Sequence, residues 1–322
     1  MASFYTDARK HWYPKTPEDL NKCVDLYNDV APEFDPRHPG FKDEEYKKRR
    51  LVVTTLATNF SIGDEIPEVE YTDQEIELWN KVYSGLRAAH PKFACKEYLD
   101  GIKDLEDRGL VGMDFIPSVK KLSAYLTEKT NFKLRPIGGY VEPRDFLAHL
   151  AFRYFPCTQY IRHPKNVQYS PDPDGIHDMV GHLPMFLNPQ LADLTQKIGQ
   201  ISLGASDEVI KKLTSLYWFT VEVGLTRENG QPKVYGAAIL SSVSEMEYAL
   251  GDRVPVKRFD ANVACDTQFD PTLLQEIYYM ADSIETAMDQ LSDFGHRVRG
   301  VRKQSQFEKP QVEQNGVHNG TT

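Results

Sequence analysis

Ser170-Pro-Asp-Pro-Asp-Gly-Ile-His-Asp-Met-Val-Gly-His-Leu-Pro-Met-Phe186 is the stretch from which the rest of the chain can be read. It carries two histidines, His177 and His182. Two imidazoles held close together, joined by a carboxylate from elsewhere, make the facial site that binds Fe(II) in non-haem oxygenases. Taken alone the spacing is a weak signal, because isolated histidine pairs are more often structural or surface groups. It is not the H-E-x-x-H pattern of zinc proteases, whose histidines at i and i+4 share one helix face. A pair at i and i+5 stands roughly 140° apart around a regular helix. Both rings reach one ion only if the backbone leaves that geometry. Gly181 and Pro184 supply a break, so the sequence predicts a helix that ends or bends between them.

The best third donor is Glu222, the single charge in Leu216-Tyr-Trp-Phe-Thr-Val-Glu-Val-Gly-Leu225. A helix that is apolar nearly all round is buried. An ionised carboxylate there is costly unless it meets a cation or a metal. The plainer alternative is a buried arginine as its partner.

Composition bounds the remaining choices. The 322 residues are 40% hydrophobic with 17 Tyr and 16 Phe, enough for one large core or two. A net charge of −9 argues against nucleic-acid or anionic-membrane partners, which select basic surfaces. No apolar run is long enough to span a bilayer. The N-terminus has no signal-peptide core, so a cytoplasmic protein is expected. Cys23, Cys95, Cys157 and Cys265 are scattered and read as free thiols.

Helical periodicity runs through 17–29, 43–60, 73–88 with Thr72 as N-cap, 117–128, 143–154, 189–200, 206–225 and 271–292. Ser206 followed by Asp207 and Glu208 is a favourable helix start. Short β-rich pieces are expected at 133–141 and 233–241. The expectation is a mainly α fold with a few short strands. Residues 1–12 read as a flexible arm, 13–300 as a single catalytic domain and 301–322 as a disordered tail.

Cys157-Thr-Gln-Tyr-Ile-Arg-His163, Pro171 to Phe186, Tyr217-Trp-Phe-Thr-Val-Glu222 and Tyr235-Gly-Ala-Ala-Ile-Leu-Ser-Ser242 occur in order. Together they closely resemble the tetrahydrobiopterin-dependent aromatic amino acid hydroxylases, from about Trp12 to residue 292. The resemblance implies that family's helical basket around a non-haem iron cleft. It implies Fe(II) held by His177, His182 and Glu222, a tetrahydropterin and O2. Arg162 would take the substrate carboxylate, with Ser170 near it. Ser241 would contact the substrate side and orient His177. Trp218 would wall the amino acid site. Phe146 would stack on the pterin, Ile137 and Gly139 would touch its edge, Tyr217 would lie near both iron and pterin, and Asp178 joins the pterin contacts. Asp266 is aligned with a position near the substrate ring, where an acid resembles tyrosine-selective members and an apolar residue phenylalanine-selective ones.

Each role has a bland counterpart. Arg162 could neutralise Asp172 or Asp174, Phe146 and Trp218 could be core aromatics, Ser170 could cap a turn, and Ser241 could be a strand-end hydroxyl. Asp178 and Pro156 resemble bacterial members. No regulatory segment is seen before Trp12 and no tetramerisation heptads after residue 292, so a monomer acting on small molecules is expected. The leading expectation is conversion of L-phenylalanine to L-tyrosine. Tyrosine 3-hydroxylation, phenylalanine 3-hydroxylation and tryptophan hydroxylation are the alternatives; Tyr140 and Pro143 are similar to tryptophan-hydroxylating members. A zinc hydrolase and a catalytically dead amino-acid-binding protein stand further off.

Overall fold

The structure, a computed structural model, describes residues 12–26 and 31–298. The arm before Trp12 and the tail after residue 298 therefore lie outside the described residues. The helices are α1 (Glu44–Thr58), α2 (Asp73–Phe93), α3 (Lys96–Asp107), α4 (Val119–Thr130), α5 (Pro143–Ala151), α6 (Leu183–Phe186), α7 (Pro189–Ser202), α8 (Asp207–Tyr217), α9 (Ala237–Leu240), α10 (Val243–Ala249), α11 (Ala261–Ala264) and α12 (Ile284–Val298). The strands are β1 (Lys133–Pro136), β2 (Tyr154–Cys157), β3 (Leu225–Glu228), β4 (Gln231–Val234), β5 (Val256–Arg258) and β6 (Tyr278–Met280). The mainly helical expectation holds. No helix among the described residues is long and apolar enough to cross a membrane.

α2 shows how sequence makes an element here. The Thr72 hydroxyl accepts the Glu75 amide at 3.2 Å while Glu75 accepts the Thr72 amide at 2.8 Å, so two orphan donors are satisfied reciprocally. From that start Leu78, Trp79, Val82, Tyr83, Leu86, His90 and Phe93 form one buried stripe. α3 has the same amphipathic logic through Tyr98, Ile102 and Leu105, yet no sequence signal marks its start. Its first amide, of Lys96, is capped by the distant Glu228 carboxylate at 2.6 Å.

Three expected elements change form. The 17–29 helix is a short 3-10 helix, Pro17–Lys22, after which Leu26 pairs with Val141; residues 27–30 lie outside the described set. The 233–241 strand stops at Val234 and becomes the single turn α9. Gly236 makes that corner: a Cβ there would sit 2.4 Å from the Gly224 nitrogen and 2.5 Å from the Glu222 carbonyl oxygen. The 271–292 helix begins only at Ile284, because Tyr278–Met280 is a strand between β3 and β5. A short apolar run does not distinguish those states by periodicity.

Two sheets position the cleft. β1 and β2 are parallel, in register from Lys133 with Tyr154 to Pro136 with Cys157. The second sheet has the order β4-β3-β6-β5. The loops leaving the carboxyl ends of β1 and β2 carry Ile137 to Val141 and Thr158 to Arg162, which is where parallel strands present ligand sites. Beneath them a core containing Trp79, Tyr98, Phe132, Phe155, Phe186 and Phe219, all fully buried, fixes the floor.

Candidate metal centre and active-site cleft

The helix through the histidines does not end between Gly181 and Pro184. His177–His182 is a π-helical turn that runs directly into α6. A π turn closes i to i+5, which brings residues five apart into line and removes the phase problem of the H-x4-H spacing. The expected departure from a regular helix thus takes the form of a widened turn rather than a helix end, and Gly181 and Pro184 have other uses. A Cβ on Gly181 would meet the Ala237 carbonyl oxygen at 2.5 Å, so glycine lets α9 approach the turn. Pro184 lacks the amide that would serve Val180, and the Val180 carbonyl instead accepts the Tyr98 hydroxyl at 3.0 Å. The stretch after α8 is a second π-helical segment, Trp218–Glu222, and it delivers Glu222.

The two turns face each other across the cleft floor. His177 Nε2 and His182 Nε2 are 3.1 Å apart. Glu222 reaches them at 3.2 Å from His182 and 3.5 Å from His177. Donors bound to one ion at about 2.0–2.1 Å stand about 3 Å apart, so the set fits a shared metal. Glu222 Oε2 is buried without a hydrogen-bond partner, as expected of an atom meant for something other than a protein donor. Burial pushes the His177 pKa down to about 4, which leaves its imidazole neutral with a lone pair to offer. Burial opposes ionisation of Glu222, but the His182 and His177 rings outweigh it and hold its carboxyl below the ordinary range. A neutral imidazole such as that of His177 and an ionised carboxylate are the protonation states that bind metal. Around them the rings are held firmly. Ser241 Oγ lies 3.3 Å from His177 Nδ1. Phe155 and Phe186 pack on His182 with centroids 4.7 and 5.8 Å away.

Above the triad opens a cleft that is continuous with solvent. Ile137, Gly139, Phe146, Arg162, Ser170, Asp178, Tyr217, Trp218 and Ser241 all line it with the triad. Arg162 pairs with Asp174, the plainer of its two expected roles: Nε and Nη2 donate at 3.0 and 2.9 Å. That pairing fixes the guanidinium, and Nη1 has only long contacts, 3.3 Å to Val167 O and 3.4 Å to Ser241 O. Ser170 donates to Asp172 at 3.3 Å. Asp178 accepts the amide and hydroxyl of Thr158 at 2.6 and 2.7 Å. Phe146 meets Tyr217 edge to face at 5.1 Å, and the Tyr217 hydroxyl is buried without a hydrogen-bond partner.

Asp266 is a correction. Its side chain is 67% exposed, stands 3.8 Å from Lys212 and does not line the cavity. Pro271 lines it instead, on a segment whose Phe269 stacks on Trp218 at 4.8 Å and whose Gln275 accepts the Trp218 indole N–H at 3.0 Å. Glu245 is a second residue missed. Ser242-x-x-Glu245 reads as a helix-start pattern, which disguises an acid that lines the cavity.

The arrangement has the form of a two-histidine, one-carboxylate metal site at the floor of an aromatic cleft. The sequence profile of the biopterin-dependent aromatic amino acid hydroxylases matches residues 11–308. Tyrosine 3-monooxygenase of Schistosoma mansoni is 44% identical over 283 residues, covering 88% of this chain and 61% of that protein. Tryptophan 5-hydroxylase of Xenopus laevis is 42% identical over 288 residues, covering 89% and 60%. The chain spans about three fifths of the length of these curated relatives. Phenylalanine hydroxylase of Chromobacterium violaceum, solved with bound iron(III) and oxidised 7,8-dihydrobiopterin, aligns with a TM-score of 0.66 at 32% identity. That alignment covers 71% of this chain and 82% of that one. The chain belongs to the biopterin-dependent aromatic amino acid hydroxylases.

Proposed function

We propose that residues 13–300 form an Fe(II)- and tetrahydropterin-dependent monooxygenase that converts L-phenylalanine to L-tyrosine with O2. His177, His182 and Glu222 would hold the iron. Iron and pterin, when bound, supply the activation of O2 and the electrons it requires. The chain supplies position and dryness. Ser241 fixes the orientation of the His177 ring through Nδ1. Arg162, held rigid by Asp174, offers Nη1 to the substrate carboxylate. Phe146 and Tyr217 give the pterin an aromatic wall, with Ile137 and Gly139 at its edge and Asp178 and the Tyr217 hydroxyl as polar partners.

The observation that carries the choice of substrate is Pro271. An apolar residue stands on the wall beside Trp218, where an acid was expected. By the family resemblance, an apolar group there accompanies phenylalanine selectivity. The competing reading is tyrosine 3-hydroxylation, favoured by the 44% identity to the Schistosoma mansoni enzyme. The test offers phenylalanine, tyrosine and tryptophan to the purified protein with Fe(II), a tetrahydropterin and O2, and identifies products by mass and ring position. Tyrosine formed from phenylalanine at the highest kcat/KM is expected. Absence of any hydroxylation while iron is demonstrably bound defeats the proposal.

A further inference from the structure

Asp172, Asp178, Glu222 and Glu245 are acids on the cavity wall. Asp172 is paired with Arg50 and His38, Asp178 is held by Thr158, and Glu222 faces the imidazoles. Glu245 differs. It is 3% exposed, and its carboxyl accepts one hydrogen bond, from Tyr278 at 3.0 Å. Among the described residues no lysine, arginine or histidine forms an ion pair with it. Burial, with Glu222 nearby adding repulsion, pushes its pKa up to about 7. A buried acid without a counter-charge is costly.

Its position relative to Arg162 gives it a use. Arg162 Nη1 lies 3.4 Å from the Ser241 carbonyl oxygen. Ser242 caps α10, and its hydroxyl accepts the Glu245 amide at 3.2 Å. The guanidinium and the carboxyl are therefore anchored at the two ends of one short, capped segment, both on the cavity wall. An α-amino acid carries its carboxylate and ammonium on one carbon and needs a matching pair of opposite charges set close together. We propose that Glu245 receives the α-ammonium of the substrate while Arg162 takes its carboxylate, so the cleft selects the zwitterion. This assignment rests on the amino acid reading above and adds a substrate-positioning residue to it.

Equilibrium binding tests it without turnover. The iron-loaded protein is titrated calorimetrically with L-phenylalanine and with 3-phenylpropanoate, which keeps ring and carboxylate but lacks the ammonium. The wild-type protein should favour the amino acid, and Glu245→Gln should weaken phenylalanine binding by about 10- to 100-fold, the range of a hydrogen bond to a charged group. It should leave 3-phenylpropanoate within about twofold, so the preference collapses. An unchanged preference, or equal weakening of both ligands, overturns the assignment. Glu245→Asp covers the case in which the amide variant fails to fold: it keeps the charge and must keep a preference for the amino acid, or the idea falls. A wild-type protein that binds 3-phenylpropanoate as tightly as phenylalanine overturns the role of Glu245 alone. One that binds no aromatic amino acid at all defeats the functional reading with it.

Discussion

Two aspartates and two glutamates, all buried around one cleft, are treated in opposite ways. Asp172 accepts from His38 and Ser170 on one oxygen and from Arg50 and Tyr160 on the other. Asp174 accepts Arg162 Nη2 and the His177 amide on one oxygen, and the Arg162 amide and Nε on the other. Glu222 keeps one oxygen without a hydrogen bond, and Glu245 has the Tyr278 hydroxyl alone. The aspartates are saturated by the protein and hold its shape. The glutamates are left short, and the shortfall is what we propose a metal and an ammonium group fill.

Glu222→Ala should break the contrast hardest. Metal retention should fall by more than about 100-fold, since even an outer partner of a ligand is worth about 10- to 100-fold. The metal-free variant should fold at least as stably as the metal-free parent, because a buried charge has been removed. Iron content after gel filtration and a melting curve read both halves. Undiminished iron would mean the third donor lies elsewhere.

Arg50→Met acts on the saturated side and should have the reverse signature: metal affinity kept, stability lost. Breaking a buried pair costs about 3–5 kcal/mol, or roughly 10 °C in Tm at this size. Burial alone would raise the Asp172 pKa, but Arg50 and His38 overcome it and hold it at about 2. A depressed acid contributes stability above its unfolded pKa of about 3.9 and loses it as pH falls through the folded value. The deficit of the variant should therefore be full at neutral pH and shrink between about pH 4 and 2. A deficit independent of pH in that window would detach Arg50 from Asp172.

The smallest effect is predicted for Asp266→Val. An exposed carboxylate 3.8 Å from a lysine is worth little, so stability should move by less than about 0.5 kcal/mol. The ratio of kcat/KM for phenylalanine and tyrosine should stay within about twofold. A larger shift would bring Asp266 back to the pocket.

Much of this is legible in the chain. Thr72 and Glu75 announce α2, and the isolation of Glu222 among aromatics marks it as a buried donor from the sequence alone. What stays hidden there has one physical cause: the deciding partner is remote in sequence. α3 starts on a carboxylate from β3. Pro271 reaches the wall because Tyr169 donates to its carbonyl and Gln275 ties its segment to Trp218. Local periodicity reads that segment as helix, and nothing local shows which of its residues reaches the wall. Gly181 and Pro184 read locally as helix breakers, whereas Ala237 and Tyr98 turn them into packing and satisfied backbone.

The widened turn at His177–His182 has a consequence for how this chain can vary over time. Between the histidines Gly181 is fixed by the close approach of Ala237, and the alignment of the rings by the extra residue that the π turn accommodates. Deleting one residue there would leave the histidines at i and i+4, the spacing that an ordinary α-turn already lines up on one face. A descendant with a one-residue gap at this place keeps its metal by tightening the turn to α pitch, whereas one with an insertion has no regular helical pitch that brings both rings together.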